Sequence, residues 1–430
     1  MLKSIFTQIW NQKQSNSWII IELILVFCLT WYITDYFFVL IYNYNLPNHR
    51  DVNHTWQIKI ADYPAYSSQF KAEENNGEAL EANFNRILQT IKNHPDVENI
   101  AILFNGSTPG GGSYYGAGFK NPQDTTIHGV GGQQITFDSR EDFFKVFRYT
   151  SDNGKKSVSV HDFDWNNPNS IIFGQLVANQ LFPSQSAIGK EVEGGGEGKK
   201  YRIIGVVDDA KRFDYERPQY VFYQSQRLDS TNLHYAEIAV RIRSSVSDAI
   251  FKETFKKEMA NSLQIGNFYL KNIVSYKQIA SGSDTIFGIT GAIRTRIYMM
   301  AFFLANILLC VIGTFWYRVN IRTEEIGIRK ALGSSSTGIR NNLILEGLCL
   351  LALATLPAMF ISFQFVHAGL IETLGAKRNA TIYLPDHTIL RFLITNAITW
   401  IIMAAVVIAA VWLPARKAAA MEAAEALHYE

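Results

Sequence analysis

Four long apolar runs divide the chain: Trp18 to Tyr42, Ile297 to Tyr317, Leu343 to Val366 and Phe392 to Leu413. Each reaches the roughly 20 mainly apolar residues that a helix needs to cross the hydrocarbon core of a bilayer. The second and fourth hold no charge, the first carries Glu22 and Asp35 toward its ends, and the third has Glu346 in its first turn. Between the first two runs, residues 43–290 read as ordinary soluble protein. Trp56 to Ile60 alternates like a strand. Leu80, Phe84, Ile87, Leu88 and Ile91 recur at three and four and predict a helix from about Gly77 to Asn93, and Asn99 to Phe104 follows as a buried strand. The same order returns with Ala236 to Ile242, a helix from about Ser247 to Ser262 carrying Phe251, Phe255 and Met259 in register, and the strand-like NFYLKNI. Two such units predict one split α/β sheet with helices on one face. Residues 140–235 are then an inserted lobe, with strands at Ser170 to Phe173 and Tyr201 to Val207.

The expected fold class is an α-helical membrane protein with four transmembrane helices, plus a large extracytoplasmic α+β domain made of a split βαβ lobe and an inserted β-rich lobe. The first run is too long for a secretory signal, carries two acids and has no small-x-small cleavage site after it, so it is read as a retained anchor. Both stretches joining the soluble region to the spans lack the Gly/Pro punctuation of a flexible linker, which predicts helices continuing as stiff stalks.

Charge sets the orientation. Lys and Arg favour the cytoplasmic side of short loops. Segments 1–17, 318–342 and 414–430 carry Lys3, Lys13, Arg318, Arg322, Arg329, Lys330, Arg340, Arg416 and Lys417, whereas 367–391 has Lys377, Arg378 and, at its edge, Arg391. Both termini are therefore expected inside, with residues 43–290 outside. The net charge of +2 argues against an extended nucleic-acid surface. Cys28, Cys310 and Cys349 all lie within spans, which leaves the soluble region without a disulfide.

Candidate chemistry is sparse. EGGGEGKK (Glu193 to Lys200) lacks the glycine five residues before Gly198 and has Lys200 where a phosphate loop needs Ser or Thr, so a hairpin is expected. PGGGSYYGAGF (Pro109 to Phe119) reads as a mobile loop whose Tyr114, Tyr115 and Phe119 are available to a ligand or partner. In HDFDW an extended strand would send His161 away from Asp162 and Asp164, which disfavours a metal site. His367 and His387 are expected as interfacial side chains. Acids inside a membrane are functional candidates, but Glu22, Asp35 and Glu346 each lie near a span end where water or an Arg is within reach.

Arg322 to Leu332 is different. It predicts a helix with Ile321, Ile328 and Leu332 on one side and a four-residue Glu325 to Arg329 ion pair, ended by Gly333 and three serines. Lying on anionic lipid is one reading of this loop. A docking helix for a cytoplasmic partner is the other, favoured because such lipid would repel Glu324 and Glu325.

RTEEIGIRKALGSS, with Glu346 at the start of the third span, resembles the coupling motif of MacB-type permeases, whose FtsX-like domain is shared by lipoprotein-extraction permeases. LPARKAAAMEAAEALHYE (Leu413 to Glu430) is similar to the family's tail. DFFKVFRY, NQLFPSQSAIGKEV and YRIIGVVDD resemble its inserted lobe. Bulky Trp31, Tyr32 and Tyr36 depart from the small, Gly-containing first span usual in the family, and Ala423 or Ala424 stands where its tail often has Pro. The resemblance implies a bacterial inner-membrane subunit that dimerises with a second copy or paralogue. It also implies a separate cytoplasmic ABC ATPase, because about 17 residues precede the first span where full MacB carries an ATPase domain. ATP and Mg would sit on that partner, with no cofactor and no metal on this chain. The implied contacts are Arg322, Glu324, Glu325, Ile326, Gly327, Arg329, Lys330 and Gly333, with Arg416 and Lys417 bordering a second one and Glu346 as an interfacial acid. A periplasmic adaptor and outer-membrane channel are further expected partners, with membrane lipid around the spans. Efflux of a periplasmic substrate by mechanotransmission is the expected function. The alternatives are lipoprotein extraction, control of a cell-wall hydrolase, or a periplasmic sensor without an ATPase.

Overall fold

The computed structural model of the chain describes residues 13–104, 106–113, 115–124, 126–194, 198–371 and 383–420. Two compact units are present, one formed mainly by Asn43–Ile289 and the other by the helices on either side of it in sequence.

Helix α1 (Lys13–Asn45) is the first element among the described residues and leads to β1 (Thr55–Asp62). Helix α2 (Gly77–Lys92) starts where the Asn76 side chain accepts from Ala79 N at 2.9 Å, satisfying one of the free donors of its first turn. Then comes β2 (Val97–Phe104). Strands β3 (Gly116–Lys120) and β4 (Val130–Phe137) follow, and then a one-turn helix α3 (Phe143–Val146). The small ribbon β5 (Thr150–Ser151) and β6 (Lys156–Ser157) precedes β7 (Ser170–Gly174) and α4 (Gln175–Leu181). Strands β8 (Glu191–Gly194), β9 (Lys199–Val207), β10 (Val221–Ser225) and β11 (Glu237–Ile242) lead to α5 (Asp248–Ser262), β12 (Phe268–Ser275) and α6 (Tyr276–Ile286).

The expected split sheet is present as β2-β11-β1-β12, antiparallel throughout. Alternation sorts its side chains to two faces. Ile100, Ile102, Ile238 and Val240 meet the apolar stripes of α2 and α5, whereas Ala101, Leu103 and Ala239 turn to the other face and pack with Phe143, Phe144 and Phe147.

The inserted lobe, expected over about 140–235, extends upstream of residue 140. Strands β10-β7-β9-β8-β3-β4 run in order, and β10 pairs back onto β4 in parallel, which closes six strands into a barrel. The barrel recruits Gly116–Phe137 from upstream of the expected boundary, and β4 also pairs with β2. All six strands send side chains inward. Phe119 lies 4.6 Å from Phe222, 5.4 Å from Tyr201 and 5.7 Å from Phe173 between ring centroids, and α4 adds Leu176, Val177 and Leu181 to the same core. Phe119, expected to be available to a ligand, is instead 3% exposed. Tyr115 is exposed, and Tyr114 lies outside the described residues. The EGGGEGKK stretch pairs β8 with β9 as a hairpin, with residues 195–197 outside the description.

The helical unit holds α1 and α7 (Ile289–Ile321), the short α8 (Thr323–Ala331), α9 (Ser336–His367) and α10 (Thr388–Ala420). Four of these are long and apolar enough to cross a membrane. The second stalk is not continuous. Gly288 adopts φ +75°, a left-handed conformation that ends α6 before α7 begins, so the chain is punctuated by a glycine where unbroken helix was expected. Helix α9 meets α10 closely at Gly347, where an added Cβ would lie 3.0 Å from Val407 and 3.1 Å from Val411.

Closure of the barrel depends on Gly132, where a Cβ would stand 2.2 Å from Tyr220 O, the same oxygen that accepts from Gln133 N at 2.9 Å. Gly132→Ala is expected to destabilise the protein by about 1–3 kcal/mol through overpacking. Gly131→Ala, whose nearest neighbour is 3.8 Å away, serves as the near-neutral comparison in thermal unfolding.

Candidate functional site

The segment singled out by its charges folds as expected, into α8. Glu324 and Glu325 lie in its first turn and Arg329 and Lys330 in its last, complementing the helix dipole at both ends. Gly333 at φ +92° closes it, donating to Lys330 O at 2.9 Å, and Ser335 then caps α9 by accepting from Gly338 N at 3.1 Å. Glu325 and Arg329 pair at 2.5 Å, both about half exposed.

The expected contact residues divide into two sets. Glu324, Glu325, Arg329 and Gly333 are exposed, as are Arg416 and Lys417, whereas Arg322, Ile326 and Gly327 are buried against their own chain. Gly327 does not present open backbone to a partner. The apolar side chains that do face outward are Ile321 (62% exposed), Ile328 (50%) and Leu332 (82%). Lys330 reaches across to the end of α10, where Ala419 O accepts from its Nζ at 2.8 Å and from Ser336 Oγ at 2.9 Å. Lys417 Nζ sits 4.3 Å from the centroid of the Trp316 ring. These contacts join α8 and the last turns of α7 and α10. The tail beyond Ala420, including Ala423 and Ala424, lies outside the described residues, as do Lys3, Lys377 and Arg378.

Beneath α8 a buried ion cluster holds the helix. Glu346 Oε1 takes Arg318 Nη1 at 2.6 Å and Glu346 Oε2 takes Arg322 Nη1 at 2.9 Å, with each of the three side chains less than one-tenth exposed. Arg318 Nη2 also bonds Asn16 Oδ1 on α1. Arg322 is the N-cap residue of α8, so one carboxylate fixes the point where α8 leaves α7. Glu346 is thus a structural organiser rather than an acid at an open interface. Asp35 behaves likewise, gripping Arg391 through Nε at 2.8 Å with a second contact through Nη2, and Glu22 accepts from the Cys310 thiol at 2.6 Å. Arg391 is therefore interior and is not a loop cation. His367 ends α9, and His387 O accepts from Arg391 N at 2.8 Å.

A second gripping point lies in the sheet unit, at the end of α1. Lys211, 2% exposed, donates from Nζ to Asn43 O at 3.0 Å, Tyr44 O at 3.4 Å and Asp214 O at 3.3 Å. The first two are carbonyls of the last turn of the helix, where a cation is favoured. Burial pushes this ammonium below the ordinary lysine range. Asn43, fully buried, donates to Tyr215 O at 3.0 Å. Arg212 Nη2 bonds Gly112 O (3.0 Å) and Ser113 O (3.3 Å) in the glycine loop. Phe213 stacks on Tyr215 at 5.3 Å and packs on Phe287 at 5.2 Å, just before the Gly288 break. Residues 211–217 thereby hold the end of α1 and the end of α6 together. Periodicity gave no sign of this role, although the dense charge of DDAKRFDYER was visible.

Two substitutions check these assignments. Glu346→Ala strands two guanidinium groups in a buried site and is expected to cost about 3–5 kcal/mol in detergent unfolding. Lys211→Met removes the donors and leaves buried carbonyls behind, with an expected loss of about 1.5–3 kcal/mol in the same assay.

The family description "MacB-like periplasmic core domain" matches residues 43–258, and "FtsX-like permease C-terminal" matches residues 297–423. No curated protein sequence matches the chain. Among solved structures, the periplasmic region of MacB from Actinobacillus actinomycetemcomitans is similar at 11% identity and TM-score 0.29, over 54% of this chain and 93% of that one. The extracellular domain of the noncanonic ABC-type transporter YknZ from Gram-positive bacteria is similar at 14% identity and TM-score 0.30, over 50% of this chain and all of that one. With the first description covering half of the chain and the second most of its helical remainder, the chain belongs to the MacB-type family of ABC transporter permeases.

Proposed function

We propose that this permease works as the membrane subunit of a transporter driven by a separate cytoplasmic ABC ATPase, which binds the exposed face of α8. One observation carries the reading: α8 and its C-cap expose the apolar Ile328 and Leu332 together with Glu324, Glu325 and Arg329, and Ile321 is exposed at the end of α7 just before it. A lipid surface would accept the apolar side chains but repel the two acids, whereas a protein groove accommodates both. Gly333 closes the helix at the end of that face, and Arg416 and Lys417 border a second contact. Arg322, Ile326 and Gly327 support it from behind.

In this reading both termini are cytoplasmic and the sheet unit is periplasmic, in the bacterial inner membrane. The partner holds ATP and Mg, and this chain contributes no catalytic group or cofactor. Closing of the ATPase on ATP moves α8, and the buried Glu346 cluster makes α7, α8 and α9 move as one body. The long α1 and the α6 to α7 connection carry that motion to the sheet unit, so that a periplasmic substrate is expelled without threading the helical bundle. A second copy or a paralogue completes the assembly, with a periplasmic adaptor and an outer-membrane channel above it.

Copurification from native membranes, with the captured chains identified, is expected to recover an ABC ATPase whose turnover rises when it is reconstituted with the permease. Glu325→Arg combined with Ile328→Asp is expected to leave assembly in the membrane intact and to reduce that stimulation at least tenfold. Unaltered stimulation by the double variant would sink the assignment of α8.

A further inference from the structure

The HDFDW stretch reads from its sequence as a solvated strand edge or loop. It forms a 3-10 turn over Val160–Asp162 followed by a loop, and the turn is fixed by a capping box in which Asp162 Oδ2 accepts from Ser159 N at 2.8 Å. No group of three metal-ligating side chains converges there or elsewhere among the described residues. The turn and loop form one wall of a cavity of about 870 Å3. The segments leaving the parallel strands β4 and β10 form the other, contributing Asp138, Arg140, Ser225 and Arg227.

Both walls are held in place without a ligand. Asp138 is 1% exposed and its carboxylate is occupied, accepting Arg140 N at 3.0 Å, Arg140 Nε at 3.0 and 3.1 Å, Arg140 Nη2 at 2.6 Å and Leu228 N at 2.9 Å. Opposite, Trp165 Nε1 donates to Val160 O at 3.1 Å and the indole stands edge-on to Phe137 at 5.4 Å. Asp164 Oδ1 accepts from Asn166 N at 3.1 Å, and Asp164 O accepts from Ser170 Oγ at 3.3 Å. The concavity has the size of a small-ligand site, with a lining that is open and mainly polar and so suits a polar ligand.

The charges in the lining decide what would enter. Arg140 and Asp138 neutralise each other through a two-point contact. The Arg227 carbonyl accepts from Asn232 Nδ2 at 2.8 Å, but its exposed guanidinium makes no hydrogen bond or ion pair among the described residues, so it is available to receive a ligand. Asp164, which keeps one oxygen open, repels a second anionic group and favours an O–H or N–H donor. Asn166 adds a side-chain amide and Trp165 a half-buried aromatic surface.

We propose that this cavity binds a small polar carboxylic acid, with its carboxylate on Arg227 and its hydroxyl or N–H donors directed to Asp164 and Asn166. Two sources share that chemistry, an acidic sugar and the C-terminus of a short peptide. The site requires nothing of α8 or of an ATPase, and it stands or falls apart from the proposed coupling.

The test is calorimetric titration of the full-length protein in nanodiscs with two matched pairs of probes, glucuronate against glucose and N-acetyl-alanyl-alanine against its C-terminal amide. At least one acid is expected to bind, at least tenfold more tightly than its neutral counterpart, and the acid that binds identifies the source. Arg227→Gln is expected to weaken that binding at least tenfold with an unchanged melting temperature, since the side chain is exposed. Arg227→Lys should retain part of the affinity, because a lysine keeps the charge but loses the planar fork. The proposal is overturned if neither acid binds, if the neutral probes bind equally well, or if Arg227→Gln binds the acid as the parent does.

Discussion

The Glu346 carboxylate, closed between the guanidinium groups of Arg318 and Arg322, is the contact on which the orientation of α8 depends. Three charges removed from water are costly, and they persist only where hydrogen bonds and mutual attraction compensate for lost solvation. Here one acid faces two bases, and Asn16 on α1 takes part of the remaining donor capacity. The arrangement ties α1, the end of α7, the start of α8 and the first turns of α9 to one point.

With its root fixed, α8 turns Ile326 and Gly327 inward and leaves Ile328 and Leu332 outside. The outward side chains are unusual for a helix at a membrane surface, since the acids and the apolar residues favour different surroundings. Lys330 and Ser336 share the Ala419 carbonyl, which links this helix to the end of α10 as well. The helix is therefore braced at both ends while its exposed face stays available.

Much of this was legible in the sequence. The four apolar runs needed only length, and α2 and α5 needed only their period, because burial of a stripe leaves a regular trace. The barrel was legible in β7, β9 and the β8–β9 hairpin, but β3 and β4 left almost no trace. Its strands β3 and β4 read GAGFK and VGGQQITF, and glycine has little strand preference of its own. They are strands because neighbours far along the chain pair with them, as Phe222 of β10 does with Gln134. Side-chain partnerships across the bundle were equally silent. Asp35 and Arg391, or Arg318 and Asn16, are hundreds of residues apart, and no local pattern couples them. In α8 the sequence predicted the helix but not which side of it faces out, because a nine-residue helix offers too few repeats to separate a buried stripe from an exposed one.

Strand β4 belongs at once to the closed barrel and, through β2, to the split sheet. Two cores therefore share one piece of backbone, and Ile135 and Phe137 pack on the sheet side while Val130 fills the barrel. Neither part is a detachable module. A chimera that exchanges the barrel between relatives by cutting at the 140–235 boundary would divide a strand set that must fold together. The natural exchange points lie before β3 and after β10, and a graft made there must bring its own β4 edge to match the recipient's β2.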